Sequence, residues 1–286
     1  MRFLNEFDHF VVPVDDVLAA EAFYRDVFGC EIALNPHGKP MRIGLNVKEW
    51  KGGMRPHTFF DVAGKRIGVY LQTDERGRAP AIHGAPTCSF TTDAAGLKRV
   101  EAALKTRGAP YESAGEDEAP KSLQSLYFAD PAGNNFQVYV PKGRAPAAAP
   151  AGALAGVGYV RLEAPGLDRS VRFYTEIFGL EVETVRTNRR LGVREAVLPL
   201  PNGQEVLLAD LPYGPKGVIL SRFEAGPHLA FYVAPDRWEP MLRRFAEAGI
   251  AHGDRAADLK ARRGDERDTY IEDPAGYVLQ LVSDAA

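Results

Sequence analysis

The chain carries six histidines and two cysteines, and few of them stand where they could act together. His9 in FDHFVVPV and His228 in GPHLAFYV each interrupt a short apolar run of strand character. Period-two alternation groups Phe7, His9 and Val11 on one face, with Asp8, Phe10 and Val12 on the other, and puts His228 beside Ala230 and Tyr232. An imidazole in such a setting is either a core histidine satisfied by one backbone partner or a metal ligand. Gln280 in YVLQLVS breaks an apolar strand on both faces. A buried amide needs hydrogen-bond or metal partners, because leaving it unpaired costs about 1–3 kcal/mol.

The remaining candidates are weaker. His57, His83 and His252 are general-base candidates by elimination alone, and His37 in NPHGKP reads as a loop residue. Cys30 and Cys88 lie in apolar settings, and two cysteines cannot build a disulfide framework or a zinc ribbon, so any metal must be held by His and oxygen. The GKR at 64–66 lacks the glycines of a phosphate loop. The charged stretch DLKARRGDERD at 258–268 reads as a solvated loop, although such loops also serve as lids.

These residues must be positioned by elements that repeat. AEAFYRDVFGCEI at 20–32 recurs as SVRFYTEIFGLEV at 170–182, and FADPAGNNFQVYV at 128–140 recurs as IEDPAGYVLQLVS at 271–283. Between the halves, GRAPAAAPAGALAG at 143–156 has too little apolar bulk for a core and reads as a linker. Each half divides again, because a strand followed by a helix also opens at 87 and at 228. Asp16 precedes a stripe of Val17, Tyr24, Val27 and Phe28 stopped by Gly29. Asp168 likewise precedes Val171, Tyr174 and Phe178, stopped by Gly179. Asp93 is the N-cap for Leu97, Val100 and Leu104, ahead of Gly108, and Trp238, Met241, Leu242 and Phe245 form the fourth stripe, ahead of Gly249. Short β-rich runs follow each helix. The expected fold is α+β: four tandem βαβββ modules forming two open β-barrel-like domains. One domain spans 1–142, with modules at about 1–80 and 81–142, and the other spans 157–286, with modules at about 157–225 and 226–286. The Phe23–Tyr24 and Phe173–Tyr174 pairs read as core packing.

With 286 residues, 45% hydrophobic and 26% charged, and a net charge of −3, the composition is that of an ordinary globular protein without the basic surplus of a nucleic-acid binder. No apolar run reaches the roughly 18 residues of a membrane span, and the N-terminus has no secretory signal, so the expected location is cytoplasmic, with no membrane partner.

The helix signatures FYRDVFG and FYTEIFG, with last strands entered through DPAG, resemble the vicinal oxygen chelate superfamily of glyoxalases, fosfomycin and bleomycin resistance proteins and extradiol dioxygenases. Four modules in one chain look most like the ring-cleaving dioxygenases. The resemblance implies that two modules join into an open barrel around a divalent metal, with ligands on first and last strands. The corresponding positions are His9, Thr87, Tyr159 and His228 on first strands, and Gln137 and Gln280 on last strands. Tyr270 precedes Gln280 by ten residues, a spacing similar to that of an extradiol tyrosine that hydrogen-bonds substrate, although Tyr127 and Gln137 repeat it. Family members most often have Glu where Gln280 stands, so this chain departs from the two-His, one-carboxylate set of non-haem Fe(II) oxygenases.

If sequence neighbours pair, each barrel has a single histidine. If the first module pairs with the fourth, one site collects His9, His228 and Gln280, and the other collects Thr87, Gln137 and Tyr159 and is vacant. By resemblance, the expected protein is a metal-dependent enzyme, a ring-cleaving dioxygenase or a related lyase or isomerase, acting on a small aromatic or vicinal-oxygen substrate. The expected cofactor is Fe(II), with Mn or Zn as substitutes. The metal ligands would be His9, His228 and Gln280, and Tyr270 would be catalytic. The rival expectation is a metal-free protein of the same fold that sequesters a small molecule. A homodimer is an allowed assembly for either.

Overall fold

The computed structural model describes residues 1–35, 37–52, 55–72, 88–118, 121–143, 154–212, 228–253 and 267–284. The fold is mixed α+β. The first module runs β1 (Leu4–Val14), α1 (Val17–Phe28), β2 (Glu31–Ile32), β3 (Arg42–Ile43), β4 (His57–Val62) and β5 (Lys65–Leu71). The second runs β6 (Cys88–Thr92), α2 (Ala94–Thr106), β7 (Tyr111–Ala114), β8 (Asp117–Glu118), β9 (Lys121–Ala129) and β10 (Asn135–Pro141). The third runs β11 (Leu154–Glu163), α3 (Leu167–Glu176), β12 (Thr184–Asn188), β13 (Val193–Pro199) and β14 (Glu205–Ala209), and the fourth β15 (His228–Val233), α4 (Pro235–Glu247), β16 (Arg267–Glu272) and β17 (Val278–Ser283).

Local chemistry sets the helix ends. Asp16 and Asp93 accept from the backbone N–H of Ala19 and Gly96, each satisfying one orphan donor of a first turn. Gly29 ends α1 in the left-handed region at φ 67°, which a side chain would resist. Asp168 does not precede its helix as expected. Gly166 caps α3 without a side-chain bond, and Asp168 lies inside the first turn, where its charge complements the helix dipole. Leu97, Val100 and Leu104 are buried as the stripe requires, as are Trp238, Met241 and Phe245, while Leu242 is half-buried.

Two compact units form, Met1–Val11 with Arg161–Ala286, and Val12–Val160, so β1 and β11 each contribute to both. In the first unit β16, β17, β15 and β1 are neighbours in that order, and β12, β13, β14 and β11 form a second run. The opening strand of the first module thus lies antiparallel on β15 of the fourth, with Val11 opposite His228. Phe7 and Phe231 pack edge to face at 5.9 Å, and Tyr174 donates to Asp273 of the second DPAG turn at 3.1 Å. Glu195, fully buried on β13, accepts from Arg161 at 2.8 Å and from Arg186 at 3.1 Å. Burial alone would raise its carboxyl, but the two guanidiniums outweigh it and hold the group below its ordinary value.

The second unit repeats the plan. β11, β6, β10, β9 and β7 are neighbours, with β8 on β9, and β1, β5, β4 and β2 form the other run, with β3 on β4. Its core is aromatic, with Phe28 against Phe90 at 5.1 Å and Tyr24 stacked on Phe60 at 5.2 Å. Tyr24 and Tyr174 also do more than fill volume. Tyr24 donates to Asp130 of the first DPAG turn at 3.1 Å, as Tyr174 does to Asp273, so each tyrosine ties the helix of one module to the last turn of the next.

Candidate metal centre

In the first unit one lateral row crosses four strands. His9 on β1 is opposite Ala230 on β15, Ala230 is beside Gln280 on β17, and Gln280 is opposite Tyr270 on β16. Laterally paired residues share a face, and residues two apart on a strand rejoin it, so His228 and Asp268 belong to the same surface. The Nε2 atoms of His9 and His228 are 3.1 Å apart, with the rings edge to face at 5.2 Å, and the His228 ring meets Tyr270 in the same way at 5.8 Å. All four side chains are buried, Gln280 completely.

A bulge produces this alignment and corrects the alternation expected for β1. The register slips between Phe7 and His9, so Phe7 pairs with Phe231 while His9 pairs with Ala230, its neighbour on the opposite face. Phe7 therefore shares a face with Phe10, 5.8 Å away, and not with His9. The extra residue is Asp8, whose carboxylate lies 2.6 Å from His9 Nδ1. An ionised carboxylate only accepts, so Nδ1 carries the proton and the lone pair of Nε2 faces His228. Such a carboxylate behind an imidazole is the usual outer support of a metal-ligating histidine. Sequence reading missed Asp8 because alternation assigned it to the far face.

Gln280 is tethered as well. Its Nε2 donates to Asp268 Oδ2 at 2.9 Å, and its buried Oε1 has no hydrogen-bond partner among the described residues. Asp268 was expected in a solvated loop; Arg267 and Asp268 instead open β16, and 258–266 lie outside the described residues. The residues fit a divalent ion in three respects: two imidazole nitrogens closer than the roughly 4.2 Å that two ligands of one ion can span at bonds of about 2.1 Å, an orphaned buried oxygen, and a supporting carboxylate. The fit is not that of a full carboxylate set. Among the described residues, no three His, Cys, Asp or Glu side chains form a metal-holding group.

The second unit provides an internal comparison. Gln137 on β10 is opposite Tyr127 on β9, as Gln280 is opposite Tyr270. Gln137 Nε2 donates to Ser125 at 2.9 Å and to Tyr127 at 3.0 Å, and its Oε1 accepts the hydroxyl of Tyr159, which stands where β1 has His9. All four side chains are buried. The polar atoms here satisfy one another, and Thr87 lies outside the described residues.

The other candidates are placed elsewhere. His57, in the second unit, donates from Nδ1 to the Arg55 carbonyl at 2.9 Å and stacks on Tyr70. His252 lies 3.4 Å from the hydroxyl of Thr269, which points to the face of β16 opposite Tyr270. His37 takes a loop position and His83 lies outside the described residues. None of the described ones joins the His9 and His228 pair.

The family model of the Glyoxalase/Bleomycin resistance protein/Dioxygenase superfamily matches residues 6–138 and 156–281. The chain belongs to this superfamily. A catechol-2,3-dioxygenase of Bacillus subtilis (strain 168) is 31% identical over 133 residues, 45% of this chain and 41% of that protein, so the match spans less than half of either. Among solved superfamily-like folds, a protein of Bacillus subtilis subsp. subtilis str. 168 provisionally described as a dioxygenase superposes with a TM-score of 0.71 over 100% of this chain and 87% of that one, at 16% identity. Glyoxalase I from Zea mays gives 0.61 over 99% and 92%, at 15% identity. At these identities the structural likeness establishes the fold, and the reaction must be argued from the site. No helix among the described residues is long and apolar enough to cross a membrane.

Proposed function

We propose that the chain is a metal-dependent ring-cleaving dioxygenase of this superfamily, acting on a small aromatic substrate with neighbouring oxygens, and that His9, His228 and Gln280 hold its divalent ion, Fe(II) foremost and Mn or Zn as substitutes. One contrast carries the reading. In the row of the second unit the glutamine oxygen is satisfied by Tyr159, whereas in the first unit the equivalent oxygen has no described partner and two imidazoles face each other 3.1 Å apart. The likeness to a catechol-2,3-dioxygenase supports the same direction. A lyase or isomerase would need the same chelation.

A bound ion would supply Lewis acidity toward the oxygens of the substrate. The protein's part is positional. Asp8 fixes the tautomer of His9, keeping its Nε2 available to a ligand. The Tyr270 hydroxyl, on the same face, hydrogen-bonds a substrate oxygen. Val11 and Ala230 keep the surface between the polar groups apolar, which strengthens each electrostatic contact there.

A second reading is favoured by the lack of three convergent His, Cys, Asp or Glu side chains among the described residues: a metal-free protein that sequesters the aromatic compound. One experiment separates them. Protein purified anaerobically should bind Fe(II) with one-to-one stoichiometry and turn over a catechol or hydroquinone. His9→Ala and His228→Ala should each abolish both properties, and the double variant should be little worse than either, because ligands of one ion act as a unit. Ligand binding that persists without metal in the double variant, with no product in air, would leave the sequestering protein standing.

A further inference from the structure

We propose that Asp268 is the positioning residue of this centre, and that Gln280 and Asp268 divide between them the work of a single carboxylate: the amide provides the oxygen and the aspartate the negative charge. This deepens the assignment of His9, His228 and Gln280 to an ion and rests on it.

The geometry restricts the amide to one orientation. Gln280 is fully buried, and its Nε2 donates to Asp268 Oδ2 at 2.9 Å. Rotating the amide by half a turn would set Oε1 against the carboxylate, replacing a charge-assisted hydrogen bond with repulsion between two acceptors. Oε1 is therefore held away from Asp268, without a described partner, on the face that carries both imidazoles. The bond also draws the amide toward its charge-separated form, which leaves more negative charge on the oxygen. Negative charge thus reaches the row from one residue further out than a direct glutamate would place it.

The other unit shows that the aspartate is not a requirement of the hairpin. Its counterpart is Ser125, two residues before Tyr127 as Asp268 is two before Tyr270. Ser125 accepts the same kind of bond from Gln137 Nε2 at 2.9 Å. A neutral hydroxyl therefore suffices where the glutamine oxygen is already satisfied by Tyr159, and a carboxylate stands where that oxygen has no described partner. Both units place an acceptor at this position, but only the unit that sets His9 against His228 places a charge there.

This division predicts a reversal of sign. With Gln at 280, removing the charge of Asp268 should weaken ion binding. With Glu at 280, Asp268 faces a carboxylate at hydrogen-bond distance, and removing its charge should relieve repulsion and leave binding equal or tighter.

The test uses the full chain and Mn(II), with affinity read by the electron paramagnetic resonance of the free ion and folding by circular dichroism. Asp268→Asn and Asp268→Ser, the latter copying Ser125 and keeping an acceptor, should each lose about tenfold or more in Mn(II) affinity, the usual effect of an outer partner of a ligand. In the Gln280→Glu background the same changes should cause no loss. Unchanged affinity in Asp268→Ser beside a Mn(II)-binding parent would overturn the proposal while leaving the metal reading intact. Equal losses in both backgrounds would do the same, by reducing Asp268 to a structural role. A parent that binds no Mn(II) would overturn both.

Discussion

Two glutamines in equivalent strand positions have opposite circumstances, and the difference comes down to one aromatic hydroxyl. Gln137 has Tyr159 on its oxygen, and Gln280 has no described partner there. Tyr159→Phe should therefore leave Gln137 Oε1 buried without its donor and lower stability by about 1–3 kcal/mol, visible as a shifted urea midpoint at unchanged slope. A variant as stable as the parent would mean that the network does not hold this row together. Part of this was legible at the residue scale: a polar amide inside VLQLV announces a partner, and the ten-residue spacing singled out Tyr270, which the hairpin register places opposite Gln280. That register also places Asp268 diagonally from Gln280. The signal was present, but the run of charges before it made the segment look like a solvated loop.

Elements were legible where periodicity and caps agree, as in α1 and α2, and illegible where one residue breaks the period. The bulge at Asp8 changes which face His9 occupies, and no local residue pattern in FDHFVV distinguishes it from regular strand. Only β15, more than two hundred residues away, fixes the register. The DPAG turns carry a further consequence. Burial raises the carboxyls of Asp130 and Asp273 from 3.8 to about 6, against the opposing pull of their hydrogen bonds from Asn134 and Tyr24 in one case, and from Tyr277 and Tyr174 in the other. Each raised acid holds, in the native state, a proton that the unfolded chain releases. The stability so contributed is full below about 3.8 and is lost as pH rises through about 6. Relative to an Asp130→Asn, Asp273→Asn variant, the parent should therefore gain stability as pH falls from 7.5 to 4.5, by about 2 kcal/mol for each group at 1.36 kcal/mol per unit. Denaturant titrations at the two pH values measure this difference, and curves offset by a constant amount would show that neither turn titrates in this range.

At the scale of the whole chain, the repeats announce four modules, and the distribution of histidines already favoured the first pairing with the fourth. What composition could not convey is that the hydrogen-bonded partner of β1 lies on the far side of the stretch read from sequence as a linker at 143–156, whose described end, 154–156, belongs instead to β11. A proline- and alanine-rich stretch marks a boundary in covalent order, whereas strand pairing follows apolar faces and ignores it. The compact unit that holds the candidate centre consequently depends on eleven residues from the opposite end of the chain, Met1–Val11. Within them Phe3, Leu4, Phe7 and Phe10 are buried, the Phe3 amide donates to the Phe178 carbonyl at 2.9 Å, and His9 faces His228. Gly179 has no room for a Cβ, which would meet the Met1 carbonyl oxygen, so the end of α3 is shaped to receive this segment. A chain beginning at Val12 should lose ion binding entirely. The β15 amides that donate to β1 should also exchange with solvent far faster than in the full chain, because the strand becomes an unpaired edge and four large apolar side chains no longer cover the unit. Hydrogen exchange read by mass spectrometry across His228–Val233 measures this directly. Protection there that matches the full chain would mean that β15 finds another partner, and that the first eleven residues are dispensable to the unit that carries the site.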